Sequence, residues 1–332
     1  MLIEASAPVR ICDFGGWTDT WFGAPGRVLN LAVTPGVAVQ VRESADPGAV
    51  ALHVATYGDR YQVTPGDTSR VDRHPLLEAA IDACPPPPGI GVEITVDSAV
   101  PAGCAAGTSA AVTMAMLAAL RAVRGESPPA REIAYAAHGL EVGVLGGESG
   151  IQDQLCVAFG GINYFEIEPY PEARVFPLPG WGELEERLTV VYLGRAHDST
   201  AIHRKVIADV TTRGPEVFAS LRNAAVAARD AVAARDLEGF GRAMIRNTEA
   251  QASLDPALVG DAAHRVIESA AAQGASGWKV NGAGGDGGSI TVLSRTREIK
   301  HRFDQSAASD GWQVLPFEIS ANGLEIRGTV SS

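Results

Sequence analysis

Hydrophobic and polar positions change their period twice along the chain. In the first hundred residues the rhythm is that of strands: "GRVLNLAVTPGVAVQVRES" (26–44) and "AVALHVATYGDRYQVTP" (49–65) alternate or cluster β-branched residues between turn signals. "GVEITVDSAV" (91–100) alternates cleanly, with Val92, Ile94 and Val96 on one face. Four prolines at 85–88 separate that strand from "HPLLEAAIDAC" (74–84), which reads as a helix. From Thr108 the period becomes helical: a Thr or Ser cap is expected at the start, and "AAVTMAMLAALRAVRG" stops on Gly125. A second helix is expected over "AREIAYAAHGLEVGVLG" (130–146), followed by strands in "FGGINYFEIEP" (159–169) and "LTVVYLG" (188–194). Residues 215–250 are Ala-rich and read as one helix or two. "GWKVNGAGGDGGSITVLS" (277–294) reads as strand, glycine loop, strand, and "TREIKHRFDQSAA" (296–308) as a closing helix. The order is mixed α+β, without the regular alternation of a doubly wound sheet. A boundary is expected near 170–185, in the Pro-rich "PYPEARVFPLPGW" (169–181).

Composition narrows the picture modestly. The chain has 332 residues, long enough for one large domain or two ordinary ones, and its 46% hydrophobic and 20% charged residues are those of a globular protein. A formal net charge of -12 argues against nucleic acid or an anionic membrane as the main partner, while leaving room for an anionic small molecule in a local basic pocket. The N-terminus lacks a basic region followed by an apolar run, and no stretch reaches the roughly 18 apolar residues needed to span a bilayer. Cys12, Cys84, Cys104 and Cys156 form no CxxC pair or metal spacing and are expected to be buried free thiols of a reducing, cytoplasmic environment.

Four segments could carry chemistry. "VPAGCAAGTSA" (100–110) is a loop of small residues running into a helix, where backbone N–H groups and the positive helix end could hold an anion without a lysine. A tight turn that packs a helix on a sheet is the plain alternative. "APVRICDFGGWTDT" (7–20) puts Arg10, a Gly-Gly turn and Asp19 close together; Arg suits anions and Asp suits sugar hydroxyls, though a surface ion pair would also explain them. "HGLEVGVLGGESGIQDQLCVAFGG" (138–161) carries Glu141 and Asp153 on either side of a glycine-rich break, a pair that could divide labour between Mg²⁺ and an attacking hydroxyl. His138 lacks the HExxH spacing and reads as structural. "KVNGAGGDGGSITVL" (279–293) has too many glycines for an ordinary hairpin, which points to backbone passing close to a ligand or another loop.

In this order the four segments resemble the GHMP kinases, the family of galactokinase, homoserine kinase, mevalonate kinase and phosphomevalonate kinase, over nearly the whole chain. Pro101, Gly103, Gly107, Thr108, Ser109 and Ala110 fall on the family's second motif, roughly P-x-G-x-G-L-G-S-S-A. "FGGWTDT", "GIQDQ" with "FGGINYFE", and "YLGRAHDSTAI" look most like D-glycero-D-manno-heptose 7-phosphate kinases and fucokinases, which act at an anomeric hydroxyl. The resemblance implies a two-domain GHMP kinase fold: a ribosomal-protein-like α/β domain at 1–175 and a ferredoxin-like α+β domain at 176–332. It implies ATP held by residues 101–110, Ala105 and Ala106 included, and Mg²⁺ on Ser109 and Glu141. Asp153 is implied as base or orienting carboxylate, with Arg10 beside it. Acceptor contacts are implied at Gly16, Trp17, Asp19, Gly150, Gly284 and Gly285, and at Arg195 and Ser199, where a distal phosphate would need a cation; Arg204 and Lys205 read equally as solvated helix charges.

The function expected is thus an ATP- and Mg²⁺-dependent sugar kinase, with heptose 7-phosphate as first acceptor and a fucose-like sugar or cyclitol as alternative. A catalytically weak sensor of ATP and sugar is the reading from another class. A homodimer is possible. Two departures stand out: Ala105-Ala106 replaces the family's Gly-Leu, which costs roughly 1 kcal/mol if Ala105 needs a positive φ. Asp286 interrupts the third motif where glycine is usual, and its carboxylate would repel phosphates unless it faces solvent or a cation.

Overall fold

The computed structural model describes residues 1–67, 73–194 and 200–329, without the side chains of 200–203 and 329. The first half forms strands β1 (Leu2–Phe14), β2 (Gly26–Glu43), β3 (Val50–Val54) and β4 (Asp59–Val63), helix α1 (Pro75–Ala83), strand β5 (Val92–Ser98), and helices α2 (Thr108–Val123), α3 (Ala130–Gly139) and α4 (Gln152–Phe159). Strands β6 (Ile162–Ile167) and β7 (Ala173–Leu178), a short helix α5 (Gly182–Glu185) and strand β8 (Leu188–Tyr192) follow. Then come helices α6 (Thr200–Arg213), α7 (Ala219–Ala234), α8 (Leu237–Leu254) and α9 (Asp261–Ala272), strands β9 (Ala275–Val280) and β10 (Ser289–Ser294), and helix α10 (Arg297–Ser309). Strands β11 (Gln313–Leu315), β12 (Glu318–Ile319) and β13 (Glu325–Thr329) complete the described chain. The arrangement is α+β, as the order of periods predicts.

Two sheets organise these elements. The larger runs β13-β1-β2-β5-β3-β4, with β6 and β12 also on the long β2 and β7 on β6. The smaller is antiparallel in the order β11-β8-β10-β9, and its chain path, strand, helices, two strands, helix, strand, is the ferredoxin-like β-α-β-β-α-β unit. Both expected glycine-loop strands, β9 and β10, pair antiparallel in it, with β9 at the edge. A division into units of 1–175 and 176–332 is our proposal; the tail β12–β13 returns to the larger sheet and pairs with β2 and β1.

Burial along β1 shows how the site arises. Leu2, Glu4 and Ser6 are exposed while Ile3, Ala5 and Ala7 are buried, the alternation of a sheet with one wet face. From Ala7 to Phe14 every residue is buried, because elements of the second half cover the other face there. Arg10 and Asp13 are thus carried on a strand but buried, Arg10 against Asp153 of α4 and the loop before α2, Asp13 against Lys279 of β9. The apolar core is continuous across this junction: Phe14 meets Phe240 of α8 edge-to-face, with ring centroids 5.1 Å apart.

The segment expected to be one helix over 130–146 is α3 followed by a π-helical turn, Leu140–Val144. Such turns add a residue to the helical repeat and re-aim side chains, here that of Glu141. The four cysteines are free and buried. No described helix is long and apolar enough to cross a membrane.

Candidate active site

The loop 101–107 enters α2 with Gly103, Ala105 and Gly107 all at positive φ, +69°, +58° and +69°. Gly107, not Thr108 or a serine, is the N-cap residue, and no side chain caps the helix. The N–H groups of the first turn, which helix geometry leaves without intrahelical partners, therefore stay available to an anion. Ala105 does adopt the left-handed conformation that its replacement of glycine made costly. Room for its methyl comes from across the junction: a Cβ added to Gly282 or Gly288 would lie only 3.0 or 2.9 Å from the Ala105 Cβ. The loop's carbonyls are tied down, Cys104 accepting from the Ser289 hydroxyl at 2.7 Å, Ala105 from the Arg10 guanidinium and Ala106 from the Arg10 N–H at 2.9 Å.

Arg10 reaches the opposite way to Asp153 on α4, donating from Nε to Oδ1 at 2.8 Å and from Nη2 to Oδ2 at 3.2 Å. This fork-on-fork pair stands against the loop, since a Cβ on Gly107 would touch the Asp153 carboxyl at 3.0 Å. Close approach and positive φ both require glycine there. Burial disfavours the Arg10 charge, but Asp13 and Asp153 outweigh it and keep the guanidinium firmly protonated.

Beside the pair lies a cleft of about 120 Å³ lined by Gly16, Trp17, Asp19, Glu141 and Gly150, with Gly282 and Ala283 from the second half. Asp19 is almost fully buried and accepts from the Gln152 N–H at 3.0 Å at the start of α4. Any Cβ on Gly150 would fall 1.9 Å from its Oδ2. Burial, with Asp153 and Asp13 adding, pushes the Asp19 carboxyl up to about 7 despite that hydrogen bond. Burial and Asp153 likewise push Glu141 up to about 7, while Gln154 donates to its Oε2 at 2.8 Å. A cation would favour the ionised forms of these carboxyls. Glu141 is a donor of the kind that a hard divalent ion takes, but one carboxylate alone would leave most of such an ion's ligands to come from elsewhere.

On the far side of the loop a larger, mostly apolar cavity of about 470 Å³ opens, lined by Tyr57, Leu77, Val96, Val100 and Val112 and ending at Gly103, Thr108 and Ser109. Ser109 and Glu141, expected together on a metal, thus lie on different hollows, joined by the Gly107–Asp153 contact.

Arg10, Gly16, Trp17, Asp19, Glu141, Gly150 and Asp153 all line this one cleft. Gly284 and Gly285 do not: both are buried, held against Leu258 by the Gly285 N–H to Leu258 O hydrogen bond of 2.8 Å, and their neighbours Gly282 and Ala283 line the cleft instead. Asp286 is exposed. Arg195 and Ser199 lie outside the described residues. Lys205 pairs with Asp255 at 2.5 Å and Arg204 is exposed. His138 is buried against Tyr170, 2.6 Å from its hydroxyl, and burial holds its imidazole down to about 4, fitting a structural role. Sequence reasoning missed Asp13, Lys279, Gln152 and Gln154. An Asp inside the apolar "RICDF" and a Lys inside "WKVN" were the signals available. Three of the four described non-glycine residues at positive φ, Cys12, Trp17 and Ala105, sit at this site, the usual place for backbone strain.

Known proteins resemble this chain in sequence and in fold. The model of the GHMP kinases N terminal domain matches residues 75–161. A bifunctional fucokinase/GDP-fucose pyrophosphorylase of Arabidopsis thaliana is 25% identical over 92% of this chain, which spans only 32% of that protein. A mevalonate kinase of Methanothermobacter thermautotrophicus is 28% identical over 98% of this chain and 100% of its own. Among solved structures, a D-glycero-D-manno-heptose 1-phosphate kinase from Bacteroides thetaiotaomicron superposes with a TM-score of 0.78 at 20% identity, covering both chains fully.

Proposed function

We propose that this chain, which has the GHMP kinase fold and carries a GHMP kinase N-terminal domain at residues 75–161, is a small-molecule kinase that transfers the γ-phosphoryl group of ATP to a sugar hydroxyl. The observation that carries the reading is the bidentate Arg10–Asp153 pair set against Gly107 at the N-terminus of α2. A phosphate chain on the loop's N–H groups would end beside a carboxylate able to orient a hydroxyl and take its proton, and beside a guanidinium able to offset developing charge. The apolar cavity beyond Ser109 fits the base and ribose of the nucleotide. Glu141 and the Ser109 hydroxyl would hold Mg²⁺ once phosphates complete its shell; the ion supplies charge neutralisation on the transferring group.

For the acceptor we take the anomeric hydroxyl of a heptose 7-phosphate, which rests on the segment 192–202 and on the likeness to the heptose phosphate kinase structure. The described lining of the cleft favours a second reading, an uncharged sugar or cyclitol, because it offers five carboxylates and one guanidinium, itself engaged by Asp153. Kinetics of Arg195→Ala decide between them. The first reading expects a raised KM for the phosphorylated acceptor with ATP affinity kept. An unchanged KM removes Arg195 as the clamp and leaves the uncharged acceptor.

A further inference from the structure

Asp13 is 2% exposed and Lys279 is fully buried; Asp13 has entered so far only as a charge beside Arg10 and Asp19, and Lys279 not at all. Their side chains meet across the junction of the two halves, Lys279 Nζ lying 3.5 Å from Asp13 Oδ1 and 3.2 Å from Gln251 Oε1, with Val280 O as a third acceptor. Two buried charges are costly to desolvate, and hydrophobic residues of similar size usually do as well for stability. The same Asp13 oxygen also accepts from the Gly282 N–H at 2.9 Å. Gly282 is at φ +64°, lines the acceptor cleft, and faces the methyl of Ala105 in the phosphate loop. Arg10 Nη1 lies 3.9 Å from that oxygen as well. Asp13 therefore sits where the turn contributed by the second half meets the guanidinium contributed by the first.

We propose that Asp13 is a positioning residue: it clamps the Gly282 turn of the second half against the phosphate loop and the Arg10–Asp153 pair, and Lys279 fixes its carboxylate for that purpose. The inference rests on the kinase reading for its kinetic readout but has a second readout independent of turnover. A merely structural ion pair can be replaced as a unit without loss, whereas a clamp needs an acceptor at position 13.

Two double variants separate these roles. Asp13→Asn/Lys279→Gln removes both charges and keeps an oxygen that can accept from Gly282; Asp13→Ala/Lys279→Met removes both charges and the acceptor. Both are checked for folding by their melting curves, and Asp13→Leu/Lys279→Met, which fills the space, replaces the second if it does not fold. In the acceptor-free variant we expect the Gly282 amide to exchange with deuterium roughly tenfold faster while core amides keep their protection. We also expect kcat to fall roughly 10- to 100-fold with ATP affinity kept, as for misplaced catalytic groups. The Asn/Gln variant recovers at least about tenfold of that kcat and the slow exchange. Equal kcat in the two variants, or equal Gly282 exchange, overturns the proposal. If the parent protein turns over no acceptor, the kinase reading fails on its own and the exchange comparison alone decides the role of Asp13.

Discussion

The fit of Ala105 into a place suited to glycine makes a quantitative prediction. Gly288 has φ +78°, and a Cβ there would stand 2.9 Å from the Ala105 Cβ, where ordinary carbon contacts are about 3.5–4.0 Å. Gly288→Ala should therefore cost about 1–2 kcal/mol for the left-handed backbone and about 1–3 kcal/mol for the overpacked methyl. Ala105→Gly relieves about 1–2 kcal/mol of strain at φ +58° but frees the unfolded chain by about 0.5–1 kcal/mol, so alone it should change stability by no more than about 1.5 kcal/mol. Combined, the second change removes the methyl that the first one strikes. The double-mutant cycle should return a favourable coupling of about 1–3 kcal/mol, the overpacking part alone. Urea unfolding followed by both tryptophan fluorescence and far-ultraviolet circular dichroism measures it, coincident transitions certifying the free energies. Additivity within about 0.5 kcal/mol would refute the idea that Gly288 makes room for Ala105.

Two further outcomes follow from the site. Asp19 and Glu141 both titrate near 7 in the folded chain, above their ordinary 3.8 and 4.5, so the folded state holds protons that the unfolded chain has already lost. These groups make the ligand-free protein lose stability as pH rises from about 4 to 7, by up to roughly 1.4 kcal/mol per group and pH unit. Asp19→Asn/Glu141→Gln should flatten the melting temperature over that window; an unchanged slope would show that other groups carry it. Lys205, its ammonium already on Asp255 and its side chain 73% exposed, should give up no more than about 1 kcal/mol on Lys205→Ala, with KM for a phosphorylated sugar unaltered. A large rise in that KM would place Lys205 at the acceptor.

What the sequence disclosed and what it hid have physical reasons. Glycine-rich turns and the small-residue loop are local features, and the family motif's glycine is what marks position 105, where a left-handed conformation strains an alanine. Arg10 and Asp153 lie 143 positions apart, yet each stands in a recognisable segment, so their meeting was legible through the family resemblance. The Asp13–Lys279 contact spans 266 positions and has no local signature: a charged residue inside a strand reads as the wet face of a sheet unless both faces are covered. That covering comes from the second half, which period alone does not place. The same limit explains Gly284 and Gly285, whose glycine content marked the loop but not which of its residues faces the cleft. The return of β12 and β13 to the larger sheet was equally hidden, because short edge strands carry too few residues to show a period.

The central claim is phosphoryl transfer oriented by the Arg10–Asp153 pair. A coupled ADP-release assay on sugars, sugar 7-phosphates and cyclitols, run with ATP and Mg²⁺ on the parent protein and on Asp153→Asn, tests it most directly. The expected result is acceptor-dependent turnover by the parent and a fall in kcat of roughly 100-fold or more in the variant, with ATP binding intact. Near-normal turnover by Asp153→Asn, or ATP binding by the parent without turnover of any acceptor, would contradict the account.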